Sequence, residues 1–293
     1  MLTIVLGLAA ACSYSLYGFG SHRLVRGVSW LTLTVAVFAV GVALLVVPAL
    51  VVDGVPSAPG QLHDLGLAAG GGLLYAAATA CFLLALRVGK LSLVTVLACL
   101  DGAFAAAISI ALGERIGGLA AAGLACAAVG GLLAAVERDP EAQTGSRPDT
   151  GRRRSWRLAG GAGLAILTSA AMAVLFICYG AIDSFSPFTT VTVASCAGLA
   201  VVLPVALVVR RALPPRTQAA GVVGVGALDM LGFLAGSAAL ALGPVSVASV
   251  LQAQTATLST LLGVAALHER PAWWQLVGIG ATILGVSLLA WAM

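Results

Sequence analysis

The sequence predicts an all-α integral membrane protein: ten transmembrane helices arranged as two inverted-topology five-helix repeats. Three observations predict it. Of 293 residues, 60% are hydrophobic and 9% charged, where a soluble domain would carry about a quarter charged residues. The apolar residues run in stretches of about 20, the length a helix needs to cross a ~30 Å hydrocarbon core. Strands of a closed barrel would instead alternate over about ten residues, and these runs do not alternate. Finally, the chain repeats itself. Gly89–Arg115 (GKLSLVTVLACLDGAFAAAISIALGER) echoes Gly243–Arg270 (GPVSVASVLQAQTATLSTLLGVAALHER). An offset of 154 lays Gly89 on Gly243, Ser92 on Ser246 and Leu97 on Leu251, and an offset of 155 lays Glu114 on Glu269, Arg115 on Arg270, Gly123 on Gly278 and Gly130 on Gly285. Ser29 and Thr32 echo Ser186 and Thr189 at 157. Self-similarity at half the chain length is the mark of duplication.

In chain order the spans are expected at 2–20, 31–52, 65–86, 91–112, 117–136, 158–179, 188–209, 219–242, 244–267 and 272–292. The first five form one repeat, 1–136, and the last five the other, 158–293. Between them lies 137–157, ERDPEAQTGSRPDTGRRRSWR, a polar, basic, proline-containing linker. Two copies with an odd number of crossings insert in opposite orientations about an axis in the membrane plane. The loops after spans 1, 3, 5, 7 and 9 hold every basic residue but Arg115, fourteen of the fifteen. The positive-inside rule then places the linker in the cytoplasm and both termini outside it. Met1 leads directly into a span without a basic segment before it, so no cleavable signal is expected.

The remaining composition speaks of packing. Trp30, Trp156, Trp273, Trp274 and Trp291 stand at span ends, where an indole keeps its ring buried and its N–H wet. Gly66/Gly70, Gly113/Gly117 and Gly232/Gly236 are spaced for close helix approach. The six cysteines, Cys12, Cys81, Cys99, Cys126, Cys178 and Cys196, lie in apolar runs without CxxC spacing and read as small buried residues. The net charge of +4 resides in loops and bears on orientation, not on nucleic acid.

Chemistry must be carried by polar groups near mid-membrane. Asp101 is the eleventh residue of span 4 and Asp229 the eleventh of span 8. A carboxylate there costs about 3 kcal/mol even on the lenient insertion scale, so it should face a wet cavity or a partner. A protonated acid bonded to a neighbouring helix is the structural alternative. In span 9, Gln252 and Thr255 share a helix face, while Gln254 is turned about 160° from Gln252, so only one of the two glutamines should meet a given cavity. At the 154 offset Tyr75 is the counterpart of Asp229, and Thr255 of Asp101. Tyr14 and Tyr17 in span 1, and Tyr179 in span 6, add amphipathic rings.

Ten helices in two copies, Gly-Pro-Val-Ser entering span 9, and Gly-Glu-Arg or His-Glu-Arg closing spans 4 and 9 resemble the EamA-type transporters of the drug/metabolite transporter superfamily. The resemblance covers nearly the whole chain. It implies a central cavity between the repeats, alternating access and export of amino acids or other small metabolites, often against protons. It also implies packing and gating roles for Glu114, Arg115, Glu269 and Arg270. The chain departs from the family pattern at Trp30, where a proline is common, and at Lys90, which faces Pro244 across the repeat.

The expectation is therefore a multi-pass cell-membrane transporter of a small organic solute, with Asp229, Asp101, Tyr75, Gln252, Thr255, Tyr14 and Tyr17 as candidate substrate- or proton-binding residues. Efflux of hydrophobic cations, which two buried acids and tyrosines would suit, and a non-transporting membrane partner remain open. An intramembrane enzyme would need clustered acids or histidines, whereas His22, His63 and His268 are scattered at span ends. No cofactor, metal or nucleic acid is expected; the partners are the solute and the lipid bilayer.

Overall fold

The protein is described by a computed structural model over residues 1–25, 27–54, 61–88, 94, 97–135, 151–209, 216–267 and 273–292. Its regular elements are helical: α1 (Leu2–Leu24), α2 (Trp30–Val52), α3 (Gln61–Val88), α4 (Asp101–Ala111), α5 (Gly118–Ala135), α6 (Gly151–Gly180), α7 (Pro187–Val208), α8 (Ala219–Leu242), α9 (Val245–Gln252), α10 (Thr255–Leu267) and α11 (Trp273–Ala292). Among the described residues, six segments are long and apolar enough to cross a membrane: α1, α2, Gln61–Arg87 of α3, Gly161–Gly180 of α6, α7 and α8. Shorter apolar helices cover Asp101–Ala111, Gly118–Leu133 and Trp273–Leu289. The chain is a multi-pass membrane protein.

Local chemistry sets several boundaries. Ser29 caps α2 by accepting the Thr32 amide at 3.1 Å, and Pro187 opens α7, where its missing N–H is no loss. Gly113, at φ +106°, ends the α4 segment in the left-handed region that glycine tolerates.

Two expected spans are not continuous helices. The ninth breaks at Ala253–Gln254 between α9 and α10, and the fourth turns at Cys99–Leu100 before α4. These breaks are 154 residues apart, the repeat offset, so the interruption belongs to both copies. The last seven residues read as linker, 151–157, lie within α6.

The packing exchanges the two copies. Helices α1 and α8 pack together as do their counterparts α6 and α3; α2 packs on α8 as α7 does on α3; α1 packs on α10 as α6 does on α4. Two further pairs, α2 with α7 and α5 with α11, join a helix to its own counterpart. At the second, a Cβ on Gly123 would sit 2.9 Å from the Gly285 carbonyl oxygen, and one on Gly130 would sit 2.7 Å from that of Gly278. At the first, the Gly198 position abuts the Phe38 ring and the Gly41 position abuts Ser195 Oγ. In both pairs residue numbers rise on one helix as they fall on the other, so counterparts run antiparallel.

Small residues do the packing, though not all of those expected. Gly232 meets Tyr14 and Gly236 meets the Gln252 amide, but Gly66, Gly70, Gly113 and Gly117 have open space where a Cβ would be. In α3 the close approach is made by Gly71, against the Tyr179 ring, and Gly72, against the Ala194 backbone. The cysteines are also not the buried residues expected: Cys12 and Cys196 are exposed and the other four half-buried, as suits small groups facing lipid or loose interfaces.

Gly72→Ala should lower stability by about 1–3 kcal/mol, because backbone cannot yield to the new methyl. Gly70→Ala, two residues away in the same helix, should be neutral or stabilising by up to about 1 kcal/mol through helix propensity. Unfolding of both purified variants in mixed micelles checks this; equal effects would contradict the packing described.

Candidate functional site

The centre of the bundle is built on α8. Its small residues let neighbours approach the backbone: the Tyr14 ring covers Gly232, and the Ser13 hydroxyl donates to the Leu228 carbonyl at 2.6 Å. Asp229 is 1% exposed and faces α3, where Tyr75, 3% exposed, donates its hydroxyl to Asp229 Oδ2 at 2.6 Å. These two residues are repeat counterparts. Their hydrogen bond therefore joins equivalent positions of the two copies.

An aromatic cluster surrounds that bond. Phe233, one turn beyond Asp229, stacks on Tyr75 with centroids 4.1 Å apart and on Tyr179 at 5.5 Å. Phe38 meets Tyr75 edge-on at 5.8 Å, and Tyr17 stacks on Phe82 at 6.5 Å. Tyr14 and Tyr17 both lie within electrostatic reach of Asp229, and Tyr14 also of Asp101. Their hydroxyls are buried, that of Tyr14 beside the Tyr75 hydroxyl and that of Tyr17 beside Ser21.

The other candidates separate as follows. Gln252, at the end of α9, turns its amide to the Gly236 carbonyl on α8 at 3.5 Å, within the same central region. Gln254 turns away and donates to the carbonyls of Ala127 on α5, at 3.1 Å, and Val250, at 3.0 Å. Asp101 is not at mid-helix: it is the first residue of α4, its Oδ1 accepting the Gly102 amide at 2.7 Å. Thr255 likewise opens α10, its hydroxyl donating to the Gln252 carbonyl at 2.8 Å. Both stand at the helix restarts left by the two breaks, Asp101 accepting from an amide of the new helix and Thr255 donating to a carbonyl of the helix before it.

At one end of the bundle three carboxylates of the first copy engage helix starts of the second. Asp53 Oδ2 accepts the Ser186 amide at 2.9 Å and its hydroxyl at 2.6 Å. Asp64 Oδ2 accepts the Asp183 amide at 3.2 Å, the Ser184 amide at 2.9 Å and the Ser184 hydroxyl. Glu114 accepts the hydroxyls of Ser109 and Ser246 and the Ser246 amide, the last at 3.3 Å. Close approach of Gly180 and Val245 joins the two groups. Partial burial pushes the Asp53 carboxyl up, but the Ser186 hydrogen bonds outweigh it and hold the group below the usual carboxylate range. Its contribution is present above the ordinary carboxylate pKa and is lost as pH falls through the lowered one.

Glu114 bonds Ser246, at the start of α9, while its chain neighbour Arg115 is exposed. Glu269 and Arg270 lie outside the described residues. The sequence reading missed Phe233, Asp53 and Asp64, and marked Ser246 only as the repeat counterpart of Ser92 at the entrance of span 9. Phe233 was signalled by its place four residues after Asp229; the others had no signal short of the tertiary contact.

Residues 159–291 match the EamA-like transporter family. No curated protein sequence matches the chain. The chain is similar to a solved structure described as a crystal structure of protein, with a TM-score of 0.74 and 18% identity over 99% of this chain and 98% of that one. At that identity the likeness establishes the fold.

Removing either partner of the Glu114–Ser246 contact should cost the same interaction. Glu114→Gln and Ser246→Ala should each destabilise the protein. Their combination should fall short of the sum by about 1–2 kcal/mol, the scale of a charge-assisted hydrogen bond. A double-mutant unfolding cycle in mixed micelles measures this, and additivity would show that the contact carries no energy.

Proposed function

We propose, from the match of residues 159–291 to the EamA-like transporter family, that this membrane protein is a drug/metabolite transporter that exports a small organic solute by alternating access, exchanging it for protons at Asp229. The observation that carries this reading is the Tyr75–Asp229 hydrogen bond. It places a single buried acid at the contact between equivalent helices of the two copies, where a movement of one copy against the other would open it first to one side and then to the other. One carboxyl that must give up its proton to hold the solute cannot carry both, and that exclusion is what makes exchange obligatory.

The antiparallel packing of α5 with α11 and of α2 with α7 supports ten spans in two inverted repeats, since a twofold axis that reverses helices is perpendicular to them. Basic residues then favour termini outside the cytoplasm and a linker, 137–157, inside. On that orientation the Asp53, Asp64 and Glu114 contacts lie at the outer end and hold it shut. Glu114 is thus a gating residue that ties the end of α4 to the start of α9. Arg115, Glu269 and Arg270 are assigned to the same helix-end gating by family resemblance. Asp101 and Thr255 shape the interrupted helices beside the site, and Gln252 borders it. The reading makes the chain a carrier, not an enzyme.

Two measurements test it. Cysteines introduced near Ser146 and near Met293 in a cysteine-free background should label from inside and outside respectively; external labelling at Ser146 in intact cells would overturn the topology. In proteoliposomes, Asp229→Asn should abolish the pH dependence of solute exchange, Asn keeping the shape but binding no proton. Asp101→Asn should change it less. An unaltered rate and pH profile in Asp229→Asn would leave a structural acid in place of the coupling group.

A further inference from the structure

We propose that the start of α6 and the end of α3 form a binding site for the phosphate headgroup of an anionic phospholipid, separate from solute transport and independent of Asp229. Helix length is the first observation. The apolar segment of α6 is Gly161–Gly180, yet the helix begins at Gly151. The stretch before the apolar segment, GRRRSWRLAG, adds about 15 Å of helix. Arg157 stands about 6 Å outside the apolar segment and Arg154 about 10 Å. The headgroup layer occupies about 5–8 Å beyond the hydrocarbon on each side, and an arginine stem covers the few ångströms that remain. Arg152, Arg153, Arg154 and Arg157 are therefore held at the depth of lipid phosphates, with Trp156 among them, a residue type that favours this layer.

The junction with α3 is the second. Tyr179 bonds the Ala68 carbonyl and Thr168 that of Ala78, so numbers on α3 rise as they fall on α6. That register sets Arg87, exposed in the last turn of α3, level with residues 159–160. The earlier residues of α6 project past the point where α3 stops, and Arg87 and Arg157 flank the step between them. Third, charge is segregated along the bundle. Contacts among Val25, Leu83, Ala165 and Val222 gather the ends of α1 and α3 and the starts of α6 and α8 at one end. That end also carries Arg23, exposed, and Arg216. Every described carboxylate lies elsewhere: Asp101 and Asp229 within the bundle, and Asp53, Asp64, Glu114 and Asp183 at the opposite end. The described cations here, His22 apart, are all arginines, whose planar guanidinium takes a phosphate in two parallel hydrogen bonds where lysine offers a point charge. A headgroup tethered by its acyl chains is already concentrated at this depth, whereas a soluble phosphate must be drawn from solution against screening ions. On the proposed orientation the leaflet is the cytoplasmic one.

The test reconstitutes the full-length protein in phosphatidylcholine bilayers and compares the association of spin-labelled phosphatidylglycerol with that of spin-labelled phosphatidylcholine. The anionic lipid should be preferred at least about twofold, averaged over the lipids in contact with the protein, and less at high salt. Arg87→Gln, Arg153→Gln, Arg154→Gln and Arg157→Gln combined should bring the ratio close to parity, while Arg115→Gln, at the opposite end, should leave it unchanged. Parity in the unmodified protein overturns the site whether or not the combined variant folds. A ratio that the combined variant does not move overturns it too, as does an equal fall in Arg115→Gln, since either leaves only the overall charge of the protein. Millimolar inorganic phosphate at matched ionic strength should not compete; loss of the preference there would assign the arginines to a soluble phosphate and overturn the lipid as ligand. None of these outcomes bears on Asp229, so failure here leaves the transport reading as it stands.

Discussion

A carboxyl group held 1% exposed inside a bundle of apolar helices is the constraint on which the centre of this structure depends. Lipid-facing placement would cost several kcal/mol, so Asp229 must turn inward and find a donor. Tyr75 is that donor, and its long side chain reaches Asp229 from α3 without close packing of the α3 and α8 backbones. Small residues on both helices admit the neighbours between them: Gly71 and Gly72 admit the Tyr179 ring and the α7 backbone, and Gly232 and Gly236 admit Tyr14 and Gln252. Rings fill the surrounding volume, with Phe233, one turn from the acid, stacked on Tyr75.

The duplication explains where this bond lies, and its divergence explains why it works. Two ionised acids at the equivalent positions would repel at hydrogen-bond distance, and two tyrosines would leave no group that ionises near neutral pH. An acid in one copy and a phenol in the other give a donor and an acceptor at the same contact. The end clamps diverge in the same way. Asp53, Asp64 and Glu114 all belong to the first copy, and their described donors, Asp183, Ser184, Ser186 and Ser246, to the second, apart from Ser109 and His63. Carboxylates on one side and helix-start amides on the other are complementary through the amide dipoles.

Much of the architecture was legible because lipid imposes it. Apolar length marked the helices, and the repeat offset paired Tyr75 with Asp229 before any contact was visible. Helical periodicity also separated Gln252 from Gln254, whose amides reach different neighbours, α8 and α5. What could not be read was any feature with no periodic signal. Apolar residues on both sides of Cys99–Leu100 and Ala253–Gln254 continue the pattern through each break, so hydropathy could not show the turn. The Gly66/Gly70 spacing is the same as that of Gly232/Gly236, yet only the second has a neighbour, because spacing describes one helix and contact requires two. Glu114 was read with its chain neighbour Arg115, whereas the donor that holds it, Ser246, is 132 residues away.

The breaks also divide the labour between the two membrane acids. Beside a turn at Cys99–Leu100, Asp101 opens a helix whose first amides have no partner within the helix, and the Gly102 amide donates to it at 2.7 Å. The partial positive charge of a helix start is a standing counterweight to a carboxylate there. Asp229 lies in the middle of an unbroken helix whose amides are all committed to its own carbonyls, so it has no such counterweight and must rely on side chains from other helices. Those side chains can move away. An acid satisfied by its own backbone is fixed in its role, while an acid satisfied by a phenol across a helix interface is free to exchange that partner for another. For the same reason a ligand that competes with Tyr75 would break the hydrogen bond that joins repeat counterparts on α3 and α8.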